Sequence, residues 1–224
     1  MNYLIDTGNL AAIKHCNEFY PLAGVTTNPT LVSKEKSDFW TLIKSIRAII
    51  GPEKELHVQT VQTTAEGMVA EAKLIKETVG GKFFVKIPIG EEGLKATMML
   101  KELGIGVTMT AIFTPAQALI AARAGASFVA PYVNRLDNII GDGVRVVEDI
   151  VEQFAIYGLD CQVLAASFKN CEQIHKCALV GCHTVTIAPE LFAGVIAHPM
   201  TDAAVAGFDK DWKAQYGDKT ILDF

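Results

Sequence analysis

The sequence predicts a (β/α)8 barrel followed by a C-terminal helical extension. Apolar segments rich in β-formers alternate with helical segments eight times along the 224 residues, at about 28 residues per unit, which is the size of a minimal β-loop-α module. The strand segments are apolar along their length, which is typical of parallel strands buried on both faces. The eight predicted strands are Tyr3–Asp6, Gly24–Asn28, Leu56–Gln59, Phe83–Pro88, Gly106–Ile112, Ser127–Val133, Gln162–Ser167 and Thr184–Ala188.

An open, doubly wound sheet is the alternative fold. Its first turn would carry a glycine-rich dinucleotide fingerprint, and residues 6–9 read Asp-Thr-Gly-Asn instead. Apolar residues at steps of three or four follow the strand segments and predict helices that cover a sheet. Examples are Phe39/Leu42/Ile46/Ile50, Met68/Ala72/Ile75/Val79 and Val144/Val147/Val151/Phe154. We expect a catalytic barrel domain over residues 1–199 and a C-terminal helix and tail over residues 200–224.

The C-terminal extension has an aromatic stripe. Phe208, Trp212 and Tyr216 recur every four residues, which places them on one face of a helix. Two interpretations are open: the helix closes the bottom of the barrel, or it docks onto a neighbouring subunit, because aromatic residues are favoured in interfaces.

Composition excludes several classes of protein. Half of the residues are hydrophobic and 20% are charged, so the chain can bury a core. The net charge of −5 comes without a basic cluster, which argues against a nucleic-acid partner. The longest uncharged run, Leu103–Ala122, contains threonines, a proline and glycines, and favours strand–loop–helix over a membrane span. The N-terminus lacks the basic region of a signal peptide, and five cysteines without a CxxC pair indicate reduced thiols; we therefore expect a cytoplasmic protein.

Polar residues stand at the ends of seven predicted strands. In a (β/α)8 barrel the chemistry occurs at the C-terminal ends of the strands. The sequence therefore predicts a ring of reactive and hydrogen-bonding side chains above an apolar floor. Its members, in chain order, are Asp6, Asn28, Gln59, Lys86, Thr110, Tyr132 and Ser167.

Lys86 carries the most chemistry in this ring. It lies between apolar residues of the strand Phe83–Pro88, and burial disfavours an ammonium ion and lowers its pKa. A neutral amine can attack a ketone or an aldehyde and form a Schiff base. A structural lysine that pairs with a carboxylate such as Asp6, or that reaches the rim of the barrel, is the other interpretation.

The other ring members also have structural interpretations. Asn28 precedes Pro29, as at an ordinary helix start, and Asp6 could cap the first helix. Gln59 and Thr110 could satisfy barrel backbone groups, and the ring of Tyr132 could be packed in the core. These roles are compatible with ligand contact.

A phosphate site is predicted where the seventh strand turns into a helix. Ser167-Phe168-Lys169 lies there, and Arg135, just past the sixth strand, could add a bidentate donor. Lys169 is interpreted as a surface charge. No metal site is expected, because Cys171, His175, and the Cys182-His183 pair match no zinc spacing.

Four motifs resemble the transaldolase family, and more narrowly its short-chain branch, which contains fructose-6-phosphate aldolase. They occur in family order, and the similarity runs from Asp6 through the C-terminal helix. The motifs are Gly24-Val25-Thr26-Thr27-Asn28-Pro29-Thr30, Val85-Lys86-Ile87-Pro88, Ala130-Pro131-Tyr132-Val133-Asn134-Arg135 and Ala165-Ala166-Ser167-Phe168-Lys169. Gln59 and Tyr132 match the aldolase, since transaldolases of this family carry glutamate and phenylalanine there.

The resemblance implies a class I aldolase that cleaves fructose 6-phosphate to dihydroxyacetone and glyceraldehyde 3-phosphate without a metal or cofactor. It implies that Lys86 forms the Schiff base and that Gln59, Thr110 and Tyr132 hold a catalytic water. Asp6 and Asn28 would bind substrate hydroxyls, and Arg135 and Ser167 the phosphate. A transaldolase is the alternative, and a non-catalytic sugar-phosphate-binding barrel is a more distant one. The resemblance also implies a homo-oligomer, a pentamer or decamer, with no membrane partner.

Overall fold

Eight parallel strands form a closed barrel in the computed structural model, which describes residues 1–224. Each strand pairs with the next in chain order, and β8 pairs with β1. The strands are β1 (Asn2–Asp6), β2 (Leu22–Thr26), β3 (Glu55–Gln59), β4 (Phe83–Pro88), β5 (Gly106–Ile112), β6 (Phe128–Pro131), β7 (Gln162–Ala165) and β8 (Thr184–Ile187). The predicted (β/α)8 barrel is confirmed.

Eleven helices follow or connect the strands. They are α1 (Leu10–Phe19), α2 (Pro29–Lys34), α3 (Phe39–Ile50), α4 (Ala65–Val79), α5 (Glu91–Glu102), α6 (Pro115–Ala124), α7 (Val133–Asp137), α8 (Gly143–Ile156), α9 (Cys171–Leu179), α10 (Pro189–Ile196) and α11 (Pro199–Tyr216), before a short 3-10 helix at Ile221–Asp223. The chain forms two compact units, Met1–Phe192 and Ala193–Phe224. The predicted division assigns a catalytic role to residues 1–199 and an interface role to residues 200–224. These roles are not visible in the fold, so the division stays a prediction.

Three predicted strands extend far enough past the observed strand to include a polar residue of the predicted ring. Asn28 lies beyond β2, where its side chain caps α2 by accepting the Leu31 N–H. Tyr132 lies beyond β6 and keeps only an isolated bridge to Ala166. Ser167 lies beyond β7 with φ +63°, a left-handed conformation outside the extended region of regular strands. In each case a local turn or cap ends the strand before its polar residue, which then belongs to a loop at the barrel mouth.

The apolar residues form two cores. The larger lies between the strands and the surrounding helices, and it buries the predicted faces of α3 and α4, with Leu42 and Ile46 among its members. The smaller, Leu4, Phe128 and Leu164, comes from strands alone and fills the barrel interior. Since side chains alternate along a strand, Asp6 shares the inward face of Leu4.

No single helix is long and apolar enough to cross a membrane. Only as a bent pair do α10 and the segment Pro199–Asp223 reach the length and apolar composition of a membrane span. The uncharged run Leu103–Ala122 forms β5 and most of α6, as predicted.

Candidate active site

Lys86 lies inside the barrel, on β4. Its neighbours in register are Gln59 on β3 and Thr108 on β5. The residue is only 6% exposed, and its Nζ donates a hydrogen bond to the Thr27 carbonyl oxygen at 2.8 Å. Burial lowers the pKa of Lys86, and the negative charge of Asp6 opposes this shift in part. The group is therefore closer to the neutral amine than an ordinary lysine is.

No carboxylate forms an ion pair with Lys86. The half-buried Asp6 instead accepts the Thr26 hydroxyl at 2.6 Å, and the hydroxyl oxygens of Thr26 and Thr186 are 2.7 Å apart. Asp6 thus acts on Lys86 through its charge, while a buried threonine pair fixes its orientation. The structural interpretation of Lys86 as an ion-pair partner of Asp6 is wrong.

Thr110 and Tyr132 come together at the C-terminal ends of β5 and β6. The Thr110 hydroxyl lies 3.0 Å from the Tyr132 hydroxyl, and Phe113 packs edge-on against the tyrosine ring. Immediately after Thr110, the register of β5 shifts at Ala111, whose φ is +59°. A bulge of this kind re-aims a side chain near a site, and non-glycine residues hold this conformation only where the surroundings enforce it.

Gln59 is the last residue of β3, and Asn28 lies just beyond β2 as the cap of α2. Gln59 is half-buried and borders a cavity of about 640 Å³ that Pro29 and Pro88 also line. The Asn28 oxygen is occupied as the cap of α2, which leaves its amide N–H groups to donate elsewhere.

The predicted phosphate residues follow neighbouring strands, with Arg135 on α7 after β6 and Ser167 in the loop after β7. The Arg135 guanidinium is exposed and lies 5.0 Å from the centre of the Tyr132 ring. Ser167 is half-buried, and its carbonyl oxygen accepts the Asn134 N–H at 2.8 Å. The side chain of Lys169 is exposed, in agreement with its interpretation as a surface charge.

The barrel interior contains a polar group that sequence reasoning did not assign. His57 is fully buried, with Nδ1 2.8 Å from the Thr108 hydroxyl and Nε2 3.3 Å from Glu55. Burial lowers its pKa, which indicates a neutral ring that accepts from Thr108 and donates to Glu55. Lys82 pairs with the same carboxylate at 2.7 Å. Only the alternation of residues 55, 57 and 59 along β3 hinted that His57 faces inward.

The cysteines are free thiols, and four of the five are buried. Burial raises the pKa of Cys161 to about 12 and that of Cys182 to about 11, so these thiols are poor nucleophiles. No cluster of three or more His, Cys, Asp or Glu side chains is arranged to hold a metal ion.

Comparison with known proteins identifies the family. The family model described as "Transaldolase/Fructose-6-phosphate aldolase" matches residues 3–221. The chain belongs to the transaldolase/fructose-6-phosphate aldolase family. A chain of this family is an enzyme of the transaldolase and aldolase type, and the resemblance seen in the four motifs is confirmed.

Solved structures share the fold of this family member at low identity. One, described as "Native KDPGal structure", has a TM-score of 0.60 and 15% identity, over 96% of this chain and 95% of that chain. Another, "Mandelate oxidase mutant-Y128F with the monooxide FMN adduct", has a TM-score of 0.59 and 11% identity, over 96% of this chain and 74% of that chain. Both likenesses concern the barrel alone.

Proposed function

We propose that the protein is a class I aldolase that reversibly cleaves fructose 6-phosphate to dihydroxyacetone and glyceraldehyde 3-phosphate. The observation that carries this proposal is the buried Lys86, whose nitrogen has a carbonyl oxygen but no carboxylate as its partner. A lysine in that position loses its proton readily and can then add to a ketone.

The reaction starts when the Lys86 amine adds to the C2 ketone and water leaves, giving a protonated imine. This cation draws electrons from the C3–C4 bond, which breaks as a base, Tyr132 or a water that it holds, removes the C4 hydroxyl proton. Glyceraldehyde 3-phosphate departs. The enamine left on Lys86 is protonated at C3, and water hydrolyses the imine to release dihydroxyacetone and regenerate the amine.

The other site residues have matching roles in this proposal. Gln59, Thr110 and Tyr132 would hold the water, because the hydrogen bond between the Thr110 and Tyr132 hydroxyls leaves one of them with a free O–H and both with acceptor capacity. Asp6 and the free amide hydrogens of Asn28 would bind sugar hydroxyls. Arg135 and Ser167 would bind the phosphate, with the guanidinium as the charged donor.

A transaldolase is the second candidate, since it would use the same lysine and differ only in the fate of the enamine. The Tyr132 hydroxyl favours the aldolase, because a proton donor beside the enamine promotes protonation and release before an aldose acceptor arrives. Membership of an enzyme family leaves the non-catalytic barrel without a supporting observation.

Trapping the Schiff base tests the mechanism. Incubation with dihydroxyacetone and borohydride should add covalent mass to the peptide that contains Lys86. Lys86→Met should fold and show neither the adduct nor cleavage. Lys82→Met is the matched control, because that lysine pairs with Glu55 and is half-exposed; it should retain both. A folded wild-type protein with an unmodified Lys86 would overturn the mechanism.

Product analysis separates the two candidates. An aldolase releases free dihydroxyacetone from fructose 6-phosphate alone, whereas a transaldolase requires erythrose 4-phosphate as the acceptor. Tyr132→Phe should shift the protein toward transfer. Release that depends wholly on the acceptor would identify a transaldolase.

The proposal also covers the cellular compartment, the small-molecule partners and the oligomeric state of the protein. Five free thiols favour a reducing compartment, the cytoplasm. Sugar phosphates are the proposed small-molecule partners. The exposed aromatic residues of α11 favour a homo-oligomer, a pentamer or decamer by family resemblance.

A further inference from the structure

Gln173 makes a set of contacts that joins α9 to α7. It is the third residue of α9 and is only 9% exposed. Its Oε1 accepts the Lys169 N–H at 2.8 Å, and its Nε2 donates to Asp137 Oδ2 at 2.6 Å and, more weakly, to Asn134 Oδ1 at 3.3 Å. The amide orientation follows from its partners, since the reverse would place a carbonyl against a carboxylate.

Asp137 extends the same network toward α8. Its second oxygen, Oδ1, accepts the Gly143 N–H at 2.8 Å at the start of α8. Both carboxylate oxygens thus accept a short hydrogen bond, one from each neighbouring helix. A charged acceptor makes such bonds stronger than neutral pairs.

The network surrounds the two predicted phosphate residues without including their side chains. Arg135 lies on α7 between Asn134 and Asp137, and Ser167 precedes the Lys169 N–H that Gln173 holds. The Asn134 N–H also donates to the Ser167 carbonyl. Ser167 has a left-handed backbone, which persists only where neighbouring contacts enforce it.

We propose that Gln173, bonded to Asp137, is a positioning residue that sets the distance between Arg135 and Ser167 and so determines affinity for a phosphorylated aldehyde. The inference rests on the proposed aldolase function and adds a specificity determinant to it. Gln173 itself does not touch the reacting atoms. Its loss would remove the side-chain link between the Lys169 N–H and α7 and leave Ser167 tied to α7 only by backbone hydrogen bonds. Lys86, on β4, would keep its own contact with the Thr27 carbonyl.

The test compares two acceptors in the synthetic direction, with dihydroxyacetone as the donor in both. For Gln173→Leu, KM for glyceraldehyde 3-phosphate should rise about tenfold, the loss expected for one charge-assisted hydrogen bond. The kcat and KM for unphosphorylated glyceraldehyde should change less than about twofold, within the range of ordinary surface substitutions. Gln153→Leu on α8 is the matched control, because the Gln153 Oε1 has no hydrogen-bond partner; it should leave both acceptors unchanged.

Asp137→Asn provides a second variant that keeps the side-chain size. It should raise the same KM, because the NH2 group that replaces one carboxylate oxygen cannot accept the hydrogen bond that this oxygen received from Gly143 or Gln173. Equal losses for both acceptors, or no loss for either, would overturn the inference. Borohydride trapping with dihydroxyacetone distinguishes a failure of the proposed function from a failure of this inference. A wild-type protein that forms no Lys86 adduct would overturn the proposed function, and the inference with it.

Discussion

At the scale of single residues, the pKa of Lys86 reflects two opposed effects. Desolvation lowers it, and the Asp6 carboxylate raises it without forming an ion pair. The balance leaves an amine that is protonated less often than an exposed lysine, yet still responds to a charge nearby. In the proposed mechanism, Asp6 would therefore combine two tasks, the binding of a substrate hydroxyl and an electrostatic effect on the nucleophile.

Asp6→Asn tests the effect of that charge. Without the carboxylate, the pKa of Lys86 should fall further, so the acid limb of the pH profile for adduct formation should move to lower pH. KM for fructose 6-phosphate should rise about tenfold from the lost hydroxyl contact. The measurement is the rate of borohydride trapping with dihydroxyacetone as a function of pH. Glu66→Gln, on the exposed face of α4, is the control, and a limb that stays or moves upward would contradict the argument.

The element scale shows which parts of the fold can be predicted from sequence. The helix α3 was predicted from the spacing of its apolar residues, and the strands were predicted from short apolar segments. Both patterns involve residues close in the chain, and both predictions are confirmed. The contact between Thr26 and Thr186 joins residues 160 positions apart, so only the closure of the barrel creates it. The predicted end of a strand was wrong where a turn or a helix cap ended the strand earlier, as the Asn28 cap of α2 does after β2. The site residues could be proposed from the strand-end rule, but their supporting partners, Gln173 among them, required coordinates.

His57 on β3 should make stability depend on pH. Its pKa is lowered in the folded protein, where Glu55, Lys82 and Lys86 are the charged groups that act on it. As pH falls below about 6.5, the unfolded chain takes up a proton at His57 and the folded chain does not. The contribution of His57 to the free energy of unfolding should therefore be complete above that pH. It should decrease as pH falls toward the lowered pKa of His57 in the folded protein.

Urea unfolding at several pH values measures this dependence. His57→Phe should cost about 1–3 kcal/mol at neutral pH, because Thr108 and Glu55 lose a partner, and should weaken the loss of stability toward acid. His15→Phe, an exposed change on α1, should leave the slope unaltered. A variant as acid-sensitive as the wild type would show that another group dominates, such as His183, whose pKa desolvation also lowers.

The absence of a side chain at Gly143 allows the start of α8 to lie close to the backbone of α7. A Cβ at this position would lie 2.4 Å from the Val133 carbonyl oxygen, which is backbone and cannot rotate away. Gly143→Ala should destabilise the protein by about 1–3 kcal/mol, as overpacking does. Gly207→Ala is the control, since nothing lies within 4 Å of its added Cβ; within α11 it should stabilise by about 0.5–1 kcal/mol. Comparable denaturation midpoints for the two variants would refute this account.

At the scale of the whole molecule, α11 is a helix without a buried residue. Phe208 is 71% exposed. The ring centres of Trp212 and Tyr216 lie 4.7 Å apart, and Tyr216 also packs edge-on against Phe224. An 18-residue helix with an exposed apolar face gains little stability from its own contacts. Contiguous apolar surface of this kind marks interaction sites in folded proteins. A second copy of the chain is the occupant that the proposed homo-oligomer supplies.

Sedimentation velocity tests this assembly. The wild-type protein should sediment faster than a 24.2 kDa monomer. Phe208→Glu should shift it to the monomer, because a carboxylate in an apolar interface costs several kcal/mol unless it is paired. Lys210→Glu changes the charge of the same exposed helix by a larger amount without touching the aromatic face, so its sedimentation should match that of the wild type. A monomeric wild type would contradict the proposed assembly, and equal dissociation by both variants would indicate general electrostatics rather than the aromatic stripe.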